Sequence, residues 1–291
     1  MKNQKAAAAG LALLAAAFYA LNVPLSKLLL KNIPATFMAA FLYLGAGAGV
    51  GIMYCFHWKQ EQKSERLGRK DLPYTVGMIA LDIAAPIFLM QGIKAGTAAN
   101  ASLLGNFEIV ATAVIALCFF KEKISAKLWT AIGFITLSGL ILSFEGAESF
   151  RFSYGSLAVL LATCCWGLEN NCTRSISQKS TYEIVTLKGL FSGAGALLVG
   201  CICGESLPDL RFILAAMLLG FVAYGLSIFM YVRAQRSLGA AKTGAYYAAA
   251  PFIGSFLSFV LTGDTLTWTY ALALFIMLIG TGFVVADTLG K

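Results

Sequence analysis

The sequence predicts an all-α integral membrane protein of ten transmembrane helices, arranged as two inverted repeats of five. Three observations carry this reading. The chain is 59% hydrophobic and only 12% charged, with a mean hydropathy of +0.78. Apolar stretches of about 20 residues, the length that crosses about 30 Å of hydrocarbon, recur along nearly all of it. Polar landmarks of the first half return in the same order in the second. A soluble domain carries about 25% charged residues, and ten spans within 291 residues leave no room for a sizeable water-facing domain.

Taken in order, the spans are read at 6–30, 34–57, 73–92, 97–120, 128–144, 154–174, 182–203, 210–233, 239–262 and 266–287. A charged loop, 58–72, ends at Pro73 and separates the second span from the third. Lys2 and Lys5 ahead of an alanine-rich run admit a signal peptide cleaved near Ala15, Ala16 and Ala17. The apolar run continues to Leu30, which favours an uncleaved first helix.

Basic residues set the expected orientation. With the N-terminus inside, sixteen Lys and Arg fall on the cytoplasmic side. Only Lys27, Lys31, Lys94, Arg151 and Arg211 fall outside, and Lys188 sits within a span. Cytoplasmic loops of membrane proteins are enriched in Lys and Arg. Both termini are therefore expected in the cytoplasm of a cell with this chain in its inner (plasma) membrane, and the helix count is expected to be even.

The halves, 1–149 and 150–291, echo one another. Tyr19-x-x-Asn22, followed by Ser26 and Lys27, corresponds to Trp166-x-x-Glu169, followed by Thr173 and Arg174. The start of the fourth span, Gly96 to Asn100, resembles the start of the ninth, Gly239 to Thr243. Each of those spans ends in an acidic turn, at Glu122 and at Asp264. Five is an odd number, so equivalent helices enter the membrane from opposite sides. Inverted repeats of this kind place a binding site near the bilayer midplane, between the halves.

An ionised side chain at the centre of a membrane helix costs about 2.5–3.5 kcal/mol on insertion scales and therefore faces protein or water. Asp82, Glu108, Glu169 and Lys188 are such residues. Lys188 lies about two turns into the seventh span, at a depth like that of Glu169, and is expected to pair with Glu169 or Glu108. Three carboxylates against one ammonium leave a negative surplus, which suits a cationic substrate group or exchangeable protons. A static ion pair that locks helices together is the alternative. Asn22, Asn100, Asn106, Asn170 and Asn171 offer hydrogen bonds to a substrate or between helices. Tyr19, Trp166, Tyr246 and Tyr247 offer aromatic walls or core packing. Pro24, Pro86 and Pro251 lie within the expected spans, as hinges or simple kinks. Gly45, Gly47, Gly49 and Gly51, like Ser192, Gly193 and Gly195, read as close helix packing.

These motifs resemble the drug/metabolite transporter superfamily, in its EamA-type branch. The resemblance rests on Tyr19-x-x-Asn22, on Trp166-Gly-x-Glu169, on Ala249, Ala250, Pro251 and Phe252, and on the turn from Gly263 to Leu266, and it spans essentially the whole chain. It implies a ten-helix inverted-repeat fold and transport of a small molecule, often export of amino acids, related metabolites or drugs. One departure stands out: Glu108 occupies the position equivalent to Pro251, which adds a charge to the pathway.

The expected function is secondary transport of a small metabolite such as an amino acid, an amine or a drug-like compound, by proton coupling or exchange and with export as the direction. No phosphate-binding loop is present to make ATP the direct energy source. A membrane sensor or assembly subunit is an alternative, and an intramembrane enzyme another. The second needs a nucleophile with a base or a metal, and the chain offers one histidine, His57, at a helix end. No cofactor, metal or nucleic acid is expected. The basic stretch 59–70 includes Glu61 and Glu65 and lacks interleaved aromatics. The seven cysteines form no CxxC pair and read as small buried hydrophobes. The expected partners are a small-molecule substrate and the lipid bilayer, for a monomer or homodimer.

Overall fold

A computed structural model describes residues 2–61, 65–120, 125–143, 153–238, 243 and 246–289. The described residues form thirteen α-helices: α1 (Lys2–Ala20), α2 (Asn22–Leu29), α3 (Ala35–His57), α4 (Leu72–Ala95), α5 (Ala98–Leu104), α6 (Phe107–Phe120), α7 (Ala126–Ser143), α8 (Tyr154–Ile176), α9 (Thr181–Ile202), α10 (Leu210–Gly220), α11 (Ser227–Leu238), α12 (Ala250–Thr262) and α13 (Trp268–Leu289). They assemble into ten membrane-crossing segments. Eight helical stretches among the described residues are long and apolar enough to cross a bilayer. The sixth segment, α8, falls outside that set, because it carries Thr163, Glu169, Asn170, Asn171, Thr173 and Arg174. Leu198, Leu214, Phe256, Val260 and Phe275 are exposed on the outer surface, and Trp58, Tyr154 and Trp268 are exposed at helix ends. That pattern is an acyl-chain face bounded by aromatic belts.

The packing repeats itself about a pseudo-twofold axis. The second segment packs on the seventh, the fourth on the ninth and the fifth on the tenth. The third packs on the sixth as the first packs on the eighth. The second meets the eighth as the third meets the seventh, and the fourth meets the sixth as the first meets the ninth. Each of these contacts has its image under exchange of the halves, which is what two oppositely inserted five-helix repeats produce. At the axis α3 and α9 touch backbone to backbone. A Cβ on Gly189 would stand 2.3 Å from Gly47 N, so both positions need glycine. Without a hydrophobic drive between helices in lipid, such close approach supplies the packing.

Three expected spans are interrupted. The first breaks at Leu21 between α1 and α2: Pro24 has no N–H for the Ala20 carbonyl, and Leu21 N bonds Phe18 O at 3.2 Å. The fourth breaks at Gly105 and Asn106, whose N–H groups donate to Ser102 O and Leu103 O at 3.2 Å each, a tighter pattern than α. Both are poor helix formers. The ninth turns at Ala248 and Ala249 before α12. Pro251 therefore does not interrupt a helix; it sits in the first turn of α12, where a missing N–H costs nothing. Pro86 lies inside α4, which continues through it. The eighth segment widens to a π-helix over Phe221–Leu226, between α10 and α11.

The cysteines correct a second expectation. All seven are free, but Cys55, Cys118, Cys164, Cys201 and Cys203 are exposed rather than buried. Cys55, Cys118 and Cys201 stand on mainly apolar helices, where an outward position meets lipid and a thiol is tolerated. The turn holding Glu122, the loop residue Arg151 and the start of the ninth span, 239–242, lie outside the described residues.

The end of the bundle away from the chain termini is tied by polar caps. Lys27 Nζ donates to Ile93 O at 2.6 Å, to Lys94 O at 3.3 Å and to Gly96 O, closing the C-terminus of α4. Asp264 Oδ2 accepts from Ala99 N at 2.8 Å at the start of α5. Glu205 accepts from Thr36 N and Phe37 N at the start of α3, at 3.3 and 3.0 Å. Each charge matches the helix end it faces.

Candidate functional site

Two adjoining chambers lie between the halves, about 360 and 460 Å³ in volume. They share Tyr19, Glu108, Thr112, Trp166, Asn170, Arg174, Tyr231 and Tyr247 as walls. Their walls reach Arg174, Ser177 and Asp287, at the end of the bundle where the chain termini lie. The opposite end is the one tied by Lys27 and Asp264.

The second chamber is built on an ion triad. Lys188 Nζ, from α9, lies 2.9 Å from Asp82 Oδ2 on α4 and 3.0 Å from Glu169 Oε1 on α8. All three residues are buried. Tyr43 OH donates to Asp82 Oδ1 at 2.9 Å, and Trp166 Nε1 reaches the same oxygen at 3.2 Å. Thr173, one turn beyond Glu169, donates its hydroxyl to Glu169 Oε1. The triad ties one helix of the first half to two of the second. Of the two partners expected for Lys188, the structure places Glu169 against it and adds Asp82.

Glu108 stands apart from the triad. It falls in the first turn of α6, just past the break at Asn106, instead of in mid-helix. Its Oε1 accepts from Asn170 Nδ2 at 2.6 Å, and Asn170 also reaches Thr112 Oγ1 at 3.5 Å. Among the described residues no ammonium or guanidinium forms an ion pair with it. Half-buried, it faces both chambers.

A tyrosine cluster closes the other side. Asn22, the first residue of α2, donates to Tyr224 OH at 3.0 Å and accepts from Ser26 Oγ at 3.0 Å. Tyr224 packs on Tyr19 and Tyr43, with ring centroids 5.8 and 5.1 Å apart. Tyr247 packs on Tyr19 at 5.7 Å and on Tyr231 at 5.0 Å. Asn22 is wholly buried behind these rings and lines neither chamber. Asp82, likewise, lines neither chamber and bonds to Lys188, Tyr43 and Trp166. Tyr246 lines neither chamber, whereas Tyr247 lines both.

The three helix interruptions meet at the first chamber. A Cβ on Gly105 would stand 3.9 Å from Pro251 Cγ, and one on Gly254 would reach 3.1 Å from both Ala20 O and Ser102 Oγ. Pro251 lines this chamber, as does Val23, the residue before Pro24, and neither Pro24 nor Pro86 is on a wall. Interrupted helices at membrane depth are tolerated where they line a protein cavity. Sequence reasoning missed Tyr43, Thr112 and Tyr224. Each is a single hydroxyl in an apolar run, a pattern that packing tyrosines and threonines share.

The comparisons with known proteins agree with this architecture. The EamA-like transporter family profile matches residues 6–144 and again 153–286. An "Uncharacterized transporter" of Methanothermobacter thermautotrophicus is 23% identical over 283 residues, 90% of this chain and 81% of that protein. The "Uncharacterized transporter YyaM" of Bacillus subtilis is 23% identical over 207 residues, 68% of each chain. A protein crystal structure shares the fold with a TM-score of 0.70 at 19% identity, over 97% of both chains. With a family profile across both halves, ten apolar segments in inverted order and an inter-half cavity, the chain belongs to the EamA-like transporter family and is a multi-pass membrane transporter.

Proposed function

We propose that this transporter carries a small amine-bearing metabolite or drug-like cation out of the cytoplasm in exchange for protons, with Glu108 as the group that takes either one. The observation that carries this reading is the division of labour among the intramembrane charges. Lys188 is held between Asp82 and Glu169, whereas Glu108 faces both chambers, and among the described residues its hydrogen-bond partner is the Asn170 amide. A carboxylate in low dielectric binds an ammonium group or a proton, and the two exclude each other. Tyr19, Trp166 and Tyr247 supply aromatic faces for the cation.

Alternating access then follows if the halves 1–149 and 150–291 rock about their shared axis. The chambers reach toward the end bearing the termini, which the excess of Lys and Arg assigns to the cytoplasm. In this state a substrate enters from inside a plasma-membrane-bounded cell. The working unit is a monomer or homodimer in the bilayer, with no catalytic residue in its cycle.

The test is uptake of a radiolabelled amine panel by the full-length protein in liposomes, with and without an imposed proton gradient. An opposing proton gradient accelerates amine movement in the wild type. Glu108→Gln loses both the gradient response and at least about tenfold of the rate, the effect of 1.4 kcal/mol. Wild-type rate and unchanged pH dependence in Glu108→Gln overturn the reading.

A further inference from the structure

Asn106 sits immediately before α6, where an asparagine side chain ordinarily caps the helix by accepting from the next amides. Here it does not. Glu108 N donates to Gly105 O and Ile109 N to Asn106 O, both at 3.1 Å, so backbone carbonyls take those amides. Asn106 is 2% exposed, and among the described residues neither its Oδ1 nor its Nδ2 has a partner. One turn earlier Ser102 is 4% exposed, and its Oγ is equally unpartnered among the described residues. Both residues line the first chamber, where the three helix interruptions converge. An unsatisfied buried polar group costs about 1–3 kcal/mol, and this site holds three such atoms among apolar walls that include Leu89, Ile109 and Val159.

We infer that Asn106 and Ser102 form a head-group subsite for a substrate that carries an uncharged donor–acceptor edge, of the primary carboxamide type, next to an amine held at Glu108 and attached to an apolar body. This rests on the proposed amine transport and names its substrate class. An asparagine amide offers one donor and one acceptor side by side and pairs with a group that offers the same. A carboxylate head is the wrong match: it has no donor for Asn106 Oδ1, and it would lie two residues from the Glu108 carboxylate. The subsite thus selects amines with neutral polar heads over zwitterionic amino acids.

The experiment measures equilibrium binding of three radiolabelled probes to the purified full chain in nanodiscs: phenylalaninamide, 2-phenylethylamine and phenylalanine. The wild type is expected to bind the amide at least about tenfold more tightly than the headless amine, a difference of 1.4 kcal/mol, and phenylalanine more weakly than the amide. In Asn106→Leu the preference for the amide disappears while phenylethylamine binding is kept. Ser102→Ala, which removes a single oxygen, reduces the preference severalfold and serves if Asn106→Leu does not fold. Equal binding of amide and amine by the wild type overturns the subsite and leaves amine transport standing, as does a preference that survives in both variants. Phenylalanine binding as tightly as the amide overturns the neutral-head assignment. If the wild type binds neither amine, the amine-transport reading falls and the subsite with it.

Discussion

The Lys188 ammonium lies 2.9 Å from Asp82 Oδ2, joining α9 of the second half to α4 of the first, with Glu169 of α8 at 3.0 Å on its other side. Removing one member of a buried ion pair leaves an uncompensated charge and costs about 3–5 kcal/mol, whereas replacing all members by neutral groups leaves no such charge. Lys188→Met is therefore expected to lower the thermal stability of the purified protein sharply. The triple variant Lys188→Met, Asp82→Asn, Glu169→Gln is expected to recover most of that loss. Thermal unfolding in detergent checks this, and equal damage in the single and triple variants contradicts it.

Asn170 holds Glu108 at 2.6 Å and with it the orientation of the carboxylate toward both chambers. A hydrogen bond to a charged group is worth about 1.5–3 kcal/mol. For Asn170→Leu the amine KM is expected to rise about tenfold with kcat little changed, the pattern of lost ground-state binding. Uptake kinetics in liposomes report it, and an unaltered KM removes Asn170 from the site.

Lys27 ties three carbonyls at the end of α4, on the side where the chambers do not reach. Lys27→Met weakens that closure and shifts the population toward states open on that side. In a background without native cysteines, Val23→Cys on the first chamber wall reports the shift. Membrane-impermeant maleimide applied from outside is expected to label it about fivefold faster when Lys27→Met is added, the effect of about 1 kcal/mol. An unchanged labelling rate argues that the closure is held elsewhere.

Cys203 is exposed at the C-terminal cap of α9, at the end of the bundle away from the termini. With both termini in the cytoplasm, it faces outward. In intact cells it is expected to react with an impermeant maleimide, and Cys203→Ser to remove that signal relative to Cys201→Ser. Labelling only after permeabilisation reverses the orientation.

By itself the sequence determined the all-helical membrane class, the ten segments, the inverted duplication and the charges that had to lie inside. These follow from local properties: span length against bilayer thickness, the echo of Tyr19-x-x-Asn22 in Trp166-x-x-Glu169, and the cost of an ionised group in hydrocarbon. Only the tertiary structure decided how those charges are shared. Asp82, Glu169 and Lys188 come from three helices and combine into one triad, and Glu108 is left to Asn170, because depth along a helix is readable from spacing but rotation about its axis is set by the neighbours it packs against. Pro24 and Pro251 signalled the breaks beside Leu21 and Ala249, but the break at Gly105 and Asn106 carried no proline and was hidden. Apolar composition records that a segment crosses the membrane, whereas a break that faces a cavity instead of lipid is permitted only by what surrounds it.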